Sequence, residues 1–194
     1  VIKDIMDASV AGDDIQQLKG IITLGFVNAH CHTELSHLKG QVPEGTGLVQ
    51  FVQQIMSKRN LQHSPEQKQV LIKAAVQQMY NSGIVAVGDI CNTSDSLAAK
   101  KNSSLHWHNF IEVTGFVGAT ANKRFTDLGP VKDEFLHEAV NKQNYFNTTL
   151  APHAPYSVSE QLFELINADT AGQLTTIHNQ EAAAENELYQ KKAG

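Results

Sequence analysis

The chain has 194 residues, enough for one domain with a sizeable core, and its 41% hydrophobic and 18% charged residues are typical of a globular protein. The net charge of −5 comes from interspersed acidic and basic residues without a Lys/Arg run, which argues against nucleic acid or an anionic membrane surface as a partner. The sequence has no 20-residue apolar stretch or signal-peptide pattern, and its two cysteines form no disulfide framework, so a cytoplasmic location is expected.

The predicted elements alternate between strand and helix. Residues 1–20 contain short apolar pieces broken by Asp and Gly, which indicate a leader strand rather than a complete domain. Strands are predicted over 21–30, 84–90, 105–113, 147–157 and 174–178, and helices over 47–59, 64–83, 94–101, 130–143, 158–172 and 181–194. Because parallel neighbours need crossover connections, this fivefold β-then-α order predicts an α/β fold with a parallel sheet.

Polar side chains mark the ends of all five predicted strands. In a parallel β/α fold, catalytic side chains project from the carboxyl ends of the strands. An ionisable or metal-binding residue lies at each such end: His30 and His32, Asp89, Glu112, His153 and His178. This pattern indicates a functional rim at one edge of the sheet.

The first strand ends in the sequence GFVNAHCHTEL. Successive side chains of a strand point to opposite faces, so His30 and His32 are predicted to share a face. Cys31 then points the other way, as a small outward-facing packing residue. Two aligned neutral imidazoles supply part of a metal site.

A second His-x-His pair, His106 and His108, lies in the third predicted strand. The two histidines and Glu112 lie at even-numbered positions, which are predicted to point inward. Apolar residues at odd-numbered positions suit the outer face, which helices cover: Leu105, Trp107, Ile111 and Val113. His106 falls near the bottom of the strand, where polar residues serve packing or stability more often than catalysis. We therefore predict a structural His106, leave His108 open, and assign Glu112 to the rim.

His178 begins the sequence HNQE, which places Glu181 where it can lean back over a metal held by His178. A carboxylate beside a metal-bound water can remove and return protons, although an acidic residue is also favourable at a helix N-terminus. His153 lies between two prolines, whose stiffness suits a group that orients a substrate. The remaining histidines are predicted to be solvated, with His37 the least certain of them: His37, His63 and His137.

Five motifs occur in order after residue 20: GFVNAHCHTELS, GIVAVGDI, FIEVTGF, APHAPYSVS and IHNQE. Together they resemble the amidohydrolase superfamily, in the cytosine-deaminase-like branch that includes chlorohydrolases and deaminases of adenosine-type nucleosides, guanine and triazines. The stretch HCHTELSHLKG followed by GTGLVQFV resembles a bacterial subgroup described as chlorohydrolases or aminohydrolases. Aminodeoxyfutalosine deaminases look like more distant relatives.

The resemblance implies a (β/α)₈ metallo-dependent hydrolase barrel, or TIM barrel, with one divalent metal ion, zinc or alternatively iron. By position, His30, His32 and His178 match metal ligands, and Glu181 matches the catalytic glutamate that shuttles protons. His153 matches a substrate-binding residue, a role to which Glu112 is also assigned. Residues 21–194 would then form the N-terminal part of the barrel, and residues 1–20 the remnant of a small β-sandwich domain.

The sequence departs from the family pattern in two respects. Leu24 stands where the family usually has proline. A complete barrel takes roughly 250 residues, so only about five of eight β/α units are expected here. The family's histidine on strand six and metal-binding aspartate on strand eight have no counterpart. We therefore expect an incomplete chain that is inactive by itself.

For the parent protein, the resemblance implies an aminohydrolase acting on non-peptide C–N bonds. Such a deaminase or dechlorinase would attack an aminated nitrogen heterocycle, its small-molecule substrate, with metal-bound hydroxide. The unrelated zinc deaminase motif, H-x-E with P-C-x-x-C, is excluded because neither cysteine has a CxxC partner. Two alternatives stay open: a degenerate barrel that binds without turnover, and a non-catalytic half-barrel that binds only metal or a partner. Open sheet edges in such a half-barrel would favour homo-oligomers.

Overall fold

The structure, a computed structural model, describes residues 3–59, 63–139 and 145–192. One parallel sheet contains four strands in the spatial order β1-β2-β3-β4, which is also their order along the chain. The strands are β1 (Phe26–Cys31), β2 (Ile84–Cys91), β3 (His106–Val113) and β4 (Phe146–Pro152). The helices are α1 (Leu48–Lys58), α2 (Pro65–Asn81), α3 (Leu97–Lys101), α4 (Ala121–Asp127), α5 (Gly129–Ala139), α6 (Glu160–Asp169) and α7 (Ala183–Lys191).

This architecture confirms the predicted fold class, a partial β/α barrel with parallel strands and crossover helices. The first four predicted strands and all six predicted helices are present. The predicted helix over 130–143 is observed up to Ala139, and its last four residues lie outside the described ranges. No helix in the described ranges has both the length and the apolarity needed to cross a lipid bilayer.

The main hydrophobic core lies between the helices and the outer face of the sheet. Ile72 of α2 and Phe135 of α5 are fully buried there against strand residues. This core contains the four residues that were predicted to face outward, one just before β3 and three within it: Leu105, Trp107, Ile111 and Val113. The parity assigned to β3 is thereby confirmed.

The inner face of the sheet has a much smaller apolar cluster, formed by Ile90, Phe110 and Ala151. Beside it lies a hollow of about 400 Å³, whose lining includes His106 and His108. The histidines of β3 therefore face the interior of the partial barrel, as their parity predicts.

The prediction of a strand over 174–178 is wrong, although this segment runs beside β4. The hydroxyl of Thr149 donates to the carbonyl oxygen of Leu174 (2.8 Å), and the hydroxyl of Thr175 donates to that of Leu150 (2.9 Å). Side-chain hydroxyls thus occupy carbonyl oxygens that a backbone ladder would use. The segment still brings His178 to the sheet edge, where its N–H donates to the carbonyl oxygen of the residue that follows β4.

Residues 3–25 contain a short 3₁₀ helix (Ala8–Val10) and no strand. Their larger apolar side chains are exposed: Ile5, Met6, Val10, Ile15, Leu18, Ile21, Ile22 and Leu24. The assignment of residues 1–20 to a β-sandwich domain stays a prediction.

Two unpaired cysteines give a direct test of this packing. Burial raises the pKa of the Cys31 thiol, and nearby Asp89 raises it further; burial likewise raises the pKa of Cys91. Because thiolates are the reactive species, we expect both thiols to resist a disulfide reagent in the native chain and to react in denaturant. Rapid native reaction of Cys91, which is fully buried, would contradict the described core.

Candidate metal centre

An irregularity in β1 sets the direction of its first histidine. Three steps along β1, from Asn28 to Cys31, face only two steps along β2, from Val87 to Asp89. The extra residue makes a β-bulge, a feature that re-aims side chains beside functional sites. His30 lies within this bulge, and His32 follows the end of the strand.

Gly88 of β2 makes room for the bulge. A Cβ atom at this position would lie 2.5 Å from the carbonyl oxygen of Ala29 and 3.1 Å from the ring of Phe110. A backbone oxygen cannot move aside as the end of a side chain can. Only glycine therefore permits this close approach between β1 and β2.

His30, His32 and His178 meet at the carboxyl edge of the sheet. Each offers a ring nitrogen, and these nitrogens all lie within 4.8 Å of one another. The ring centroid of His178 lies 4.6 Å from that of His30 and 5.5 Å from that of His32. The structure thus brings together the three residues that were predicted as metal ligands.

Glu112 and His153 complete a second group around His178, with their ligand atoms within 4.8 Å of one another. Glu112 Oε1 lies 3.4 Å from Nε2 of His178. Its other oxygen accepts a hydrogen bond from the side-chain amide of Asn92 (3.0 Å). Asn92, in the loop after β2, therefore holds the buried Glu112 carboxylate in place.

His153 is oriented by the turn that follows β4. Its Nδ1 lies 2.6 Å from the hydroxyl of Ser157, which itself donates to the carbonyl oxygen of Ala154. Because that hydroxyl has only one hydrogen, it must accept a hydrogen bond from the Nδ1–H of His153. The other ring nitrogen of His153, Nε2, therefore keeps its lone pair. His153 can thus accept a hydrogen bond from a bound molecule.

Glu181 reaches His178 through a tight turn. Its Oε1 lies 2.7 Å from Nδ1 of His178. The turn contains Gln180 in the left-handed region, with φ of 58°, and the N–H of Glu181 donates to the carboxylate of Glu185 (2.9 Å). Glu185 thereby supports the conformation that brings Glu181 to the imidazole.

The electrostatics of this site favour a cation. Hydrogen bonds that the His178 ring donates to the carboxylates of Glu112 and Glu181 raise the pKa of His178 to about 9, against the opposing effect of burial. Burial lowers the pKa of His30 and His32, which keeps them neutral with a lone pair available. The carboxylates around His178 therefore favour a positive charge at this place. A divalent cation would supply that charge, and three imidazoles with a carboxylate are a donor set that suits zinc.

Two residues named in the sequence are placed differently by the structure. Asp89 does not join the rim: it shares the outer face of β2 with core residues and pairs with Lys100. The prediction of a solvated His37 is also wrong. His37 is buried in the 3₁₀ helix (Thr33–Leu38), and its ring nitrogens contact the carbonyl oxygens of Glu34 and Arg59.

The remaining histidines lie apart from the metal-binding groups found among the described residues. His106 accepts a hydrogen bond from the N–H of Tyr145, the residue just before β4, which supports its structural role. His108, which was left open, contacts the hydroxyls of Tyr145 and Thr149 and stacks on Phe110. His63 is half-buried, and His137 is exposed as predicted.

Sequence reasoning missed Glu34, a buried carboxylate just beyond the metal-ligand motif. It accepts hydrogen bonds from the N–H groups of Asn92 and Thr93 and from the Thr93 hydroxyl, and pairs with Arg59 at 3.4 Å. It therefore holds the loop from which Asn92 reaches Glu112. A charged residue in the HTEL segment was visible in the sequence, but the N–H groups that it accepts from lie 58 and 59 residues away along the chain.

Replacing Glu34 with alanine is expected to lower the free energy of unfolding by about 3 kcal/mol, because buried N–H groups of Asn92 and Thr93 lose their acceptor. Glu34→Gln keeps one acceptor oxygen and should cost less. Urea denaturation of both variants measures the difference. Equal stability of Glu34→Ala and the wild type would contradict the described loop anchor.

Comparison with known proteins places this geometry in a family. The amidohydrolase family matches residues 21–194. Among solved structures, Helicobacter pylori aminofutalosine deaminase in complex with methylthio-coformycin has a TM-score of 0.75 and 24% identity. An adenosine deaminase from Xanthomonas campestris with bound zinc has a TM-score of 0.66 and 23% identity. Atrazine chlorohydrolase from Arthrobacter aurescens complexed with zinc has a TM-score of 0.65 and 12% identity.

Each of these three alignments covers 88% of this chain, whereas the chain spans only 40%, 39% and 44% of the respective structures. A search of curated protein sequences found no match. The structural likenesses establish the shared barrel fold, and the family match extends over every residue from Ile21 to Gly194. The chain belongs to the amidohydrolase family.

Proposed function

We propose that the protein containing this chain is a metal-dependent hydrolase that replaces an exocyclic amino group of a nitrogen heterocycle with a hydroxyl group. One observation carries the proposal: three imidazoles and the carboxylate of Glu181 converge at the carboxyl edge of a barrel sheet. The names of the aminofutalosine and adenosine deaminases with the same fold support this substrate class.

In this proposal His30, His32 and His178 hold one divalent ion. Zinc is favoured by the three imidazole donors and by its presence in two of the similar structures, with iron as the alternative. When bound, such an ion lowers the pKa of a water molecule towards 7 and polarises the substrate.

Glu181 is the proposed proton carrier. Its carboxylate contacts Nδ1 of His178, so the ion would be held by Nε2 of that ring, the nitrogen that faces Glu112. Glu181 takes a proton from the attacking water and gives it to the leaving nitrogen. A C–O bond forms and the C–N bond breaks. The amino group leaves as ammonia with one proton from the water, whose other hydrogen stays on the new hydroxyl group.

His153 and Glu112 are the proposed substrate contacts. His153 presents an Nε2 lone pair, and Glu112 presents a buried carboxylate held by Asn92. Both groups accept hydrogen bonds, so they match N–H or O–H donors on an aminated heterocycle. A donor-rich ring would be bound better than an analogue that lacks those donors.

Ammonia release from a panel of aminopurines, pterins and aminotriazines tests the proposed reaction, using the protein that contains this chain loaded with zinc. Chlorotriazines with chloride detection serve as the second arm, because a chlorohydrolase shares the fold. We expect ammonia from at least one aminated ring. Chloride release without ammonia release would show that the reaction is dechlorination and not deamination. A zinc-loaded protein that turns over neither class would favour a barrel that only binds.

A further inference from the structure

A buried ion pair lies behind the sheet, on the face opposite to the histidine cluster. Nζ of Lys100, from α3, lies 2.5 Å from Oδ2 of Asp89 in β2, and both side chains are fully buried. The ammonium also donates to Oδ1 of Asn109 (2.8 Å). It lies 5.0 Å and 4.9 Å from the ring centroids of Trp107 and Phe135. Lys100 is thus fixed from several directions.

The second oxygen of Asp89 contacts the segment that carries the proposed metal ligands. Oδ1 accepts hydrogen bonds from the N–H of Thr33 (2.7 Å), the hydroxyl of Thr33 (2.8 Å) and the thiol of Cys31 (3.1 Å). Cys31 separates His30 from His32, and Thr33 follows directly. One oxygen of Asp89 therefore accepts hydrogen bonds from the residues on both sides of His32.

These bonds occur where regular strand pairing fails. The register between β1 and β2 breaks after Asn28, within the bulge that contains His30, and β1 ends at Cys31. Regular pairing resumes only at Cys31, opposite Asp89, so the ladder leaves His30 out of register and stops before His32. The Asp89 carboxylate supplies an additional anchor at Cys31 and Thr33, the residues on either side of His32.

Stability alone is a weak explanation for such a pair. Two charges lose their hydration on burial, and replacing a buried ion pair by apolar residues of similar size is often neutral or stabilising. Supporting groups outside a metal site, by contrast, commonly fix the orientation of the ligands and tune metal affinity. The contacts of Asp89 with Cys31 and Thr33 fit the second role.

We propose that Asp89 and Lys100 are positioning residues for the metal centre: Lys100 fixes the Asp89 carboxylate, which fixes the Cys31–Thr33 segment and so aims His30 and His32. This inference rests on the proposed function, because it assumes that these histidines bind a metal ion. Neither residue of the pair touches the ion or the substrate. The pair acts from the opposite face of the sheet.

Two double variants separate positioning from folding, and both avoid leaving one buried charge unpaired. Asp89→Leu with Lys100→Met removes the charges and every acceptor for Thr33. Asp89→Asn with Lys100→Met also removes the charges but keeps an amide oxygen that can accept from the Thr33 N–H. A control, Lys132→Met with Asp169→Leu, removes the ion pair between α5 and the end of α6.

Zinc affinity by chelator competition and the visible absorption of the Co²⁺-loaded chain are the readouts, with circular dichroism and Tm of the metal-free chain as folding checks. The leucine variant is expected to bind zinc about 10- to 100-fold more weakly, with an altered Co²⁺ spectrum and a retained fold. The asparagine variant should recover part of the affinity. The control should match the wild type in both metal readouts.

Wild-type affinity and spectrum in a folded leucine variant would overturn the positioning role and leave the proposed function standing. Absence of zinc and Co²⁺ binding by the wild-type chain would overturn both. If the leucine variant does not fold, the asparagine variant decides by the same readouts. Failure of both to fold would show that the pair serves stability, which also overturns the inference.

Discussion

Replacing His178 with alanine is expected to weaken zinc binding by more than about 100-fold, beyond the effect of losing a supporting group. His178 is the one imidazole that lies in both candidate metal-binding groups of the described chain. Its removal leaves two nitrogens, from His30 and His32, on a partly exposed segment. It also leaves Glu112 and Glu181 without their shared imidazole partner.

Metal analysis after dialysis and chelator competition measure this effect. His106→Ala is the matched control, because His106 also belongs to a His-x-His pair but lies at the start of β3. We expect about one zinc per chain in the wild type and in His106→Ala. Stoichiometric zinc with unchanged affinity in His178→Ala would remove His178 from the proposed ligand set.

Replacing Glu181 with glutamine is expected to lower kcat by about 10² to 10⁴ in the protein that contains this chain, while zinc stays bound. Glutamine keeps the size of the side chain and a carbonyl oxygen, so contact with Nδ1 of His178 can persist. It cannot accept and release a proton near neutral pH. The loss should therefore appear in turnover and not in metal content.

Steady-state kinetics of ammonia release, with zinc content determined on the same samples, give the comparison. Glu187→Gln makes the same chemical change on α7 at an exposed side chain, paired only loosely with Lys191 at 3.8 Å. It should retain wild-type turnover. Full activity of zinc-loaded Glu181→Gln would show that another group carries the proton.

Residue periodicity and strand-end chemistry were sufficient for most of the barrel and its candidate site. The alternation along β3 separates a core residue such as Trp107 from Glu112 without any knowledge of partners. His153 follows β4 and His178 ends the segment that runs beside β4, so the two histidines lie near each other although that segment is not a strand. Their ring centroids are 5.1 Å apart.

What the sequence did not predict depends on contacts between distant residues. The bulge at His30 arises from the register with β2, and strict alternation cannot reveal an extra residue. Asp89 looks like a rim residue until Lys100 is seen behind the sheet. The segment over 174–178 has the composition of a strand, but threonine hydroxyls occupy carbonyl oxygens on which a ladder depends.

The location of a bound zinc ion tests the central claim most directly. A crystal structure of the zinc-loaded chain, with data collected on both sides of the zinc absorption edge, identifies the ion by its anomalous scattering. We predict one ion with ring nitrogens of His30, His32 and His178 at about 2.0–2.1 Å. An ion bound instead at His63 or His137, or a rim with no ion in a zinc-saturated crystal, would contradict it.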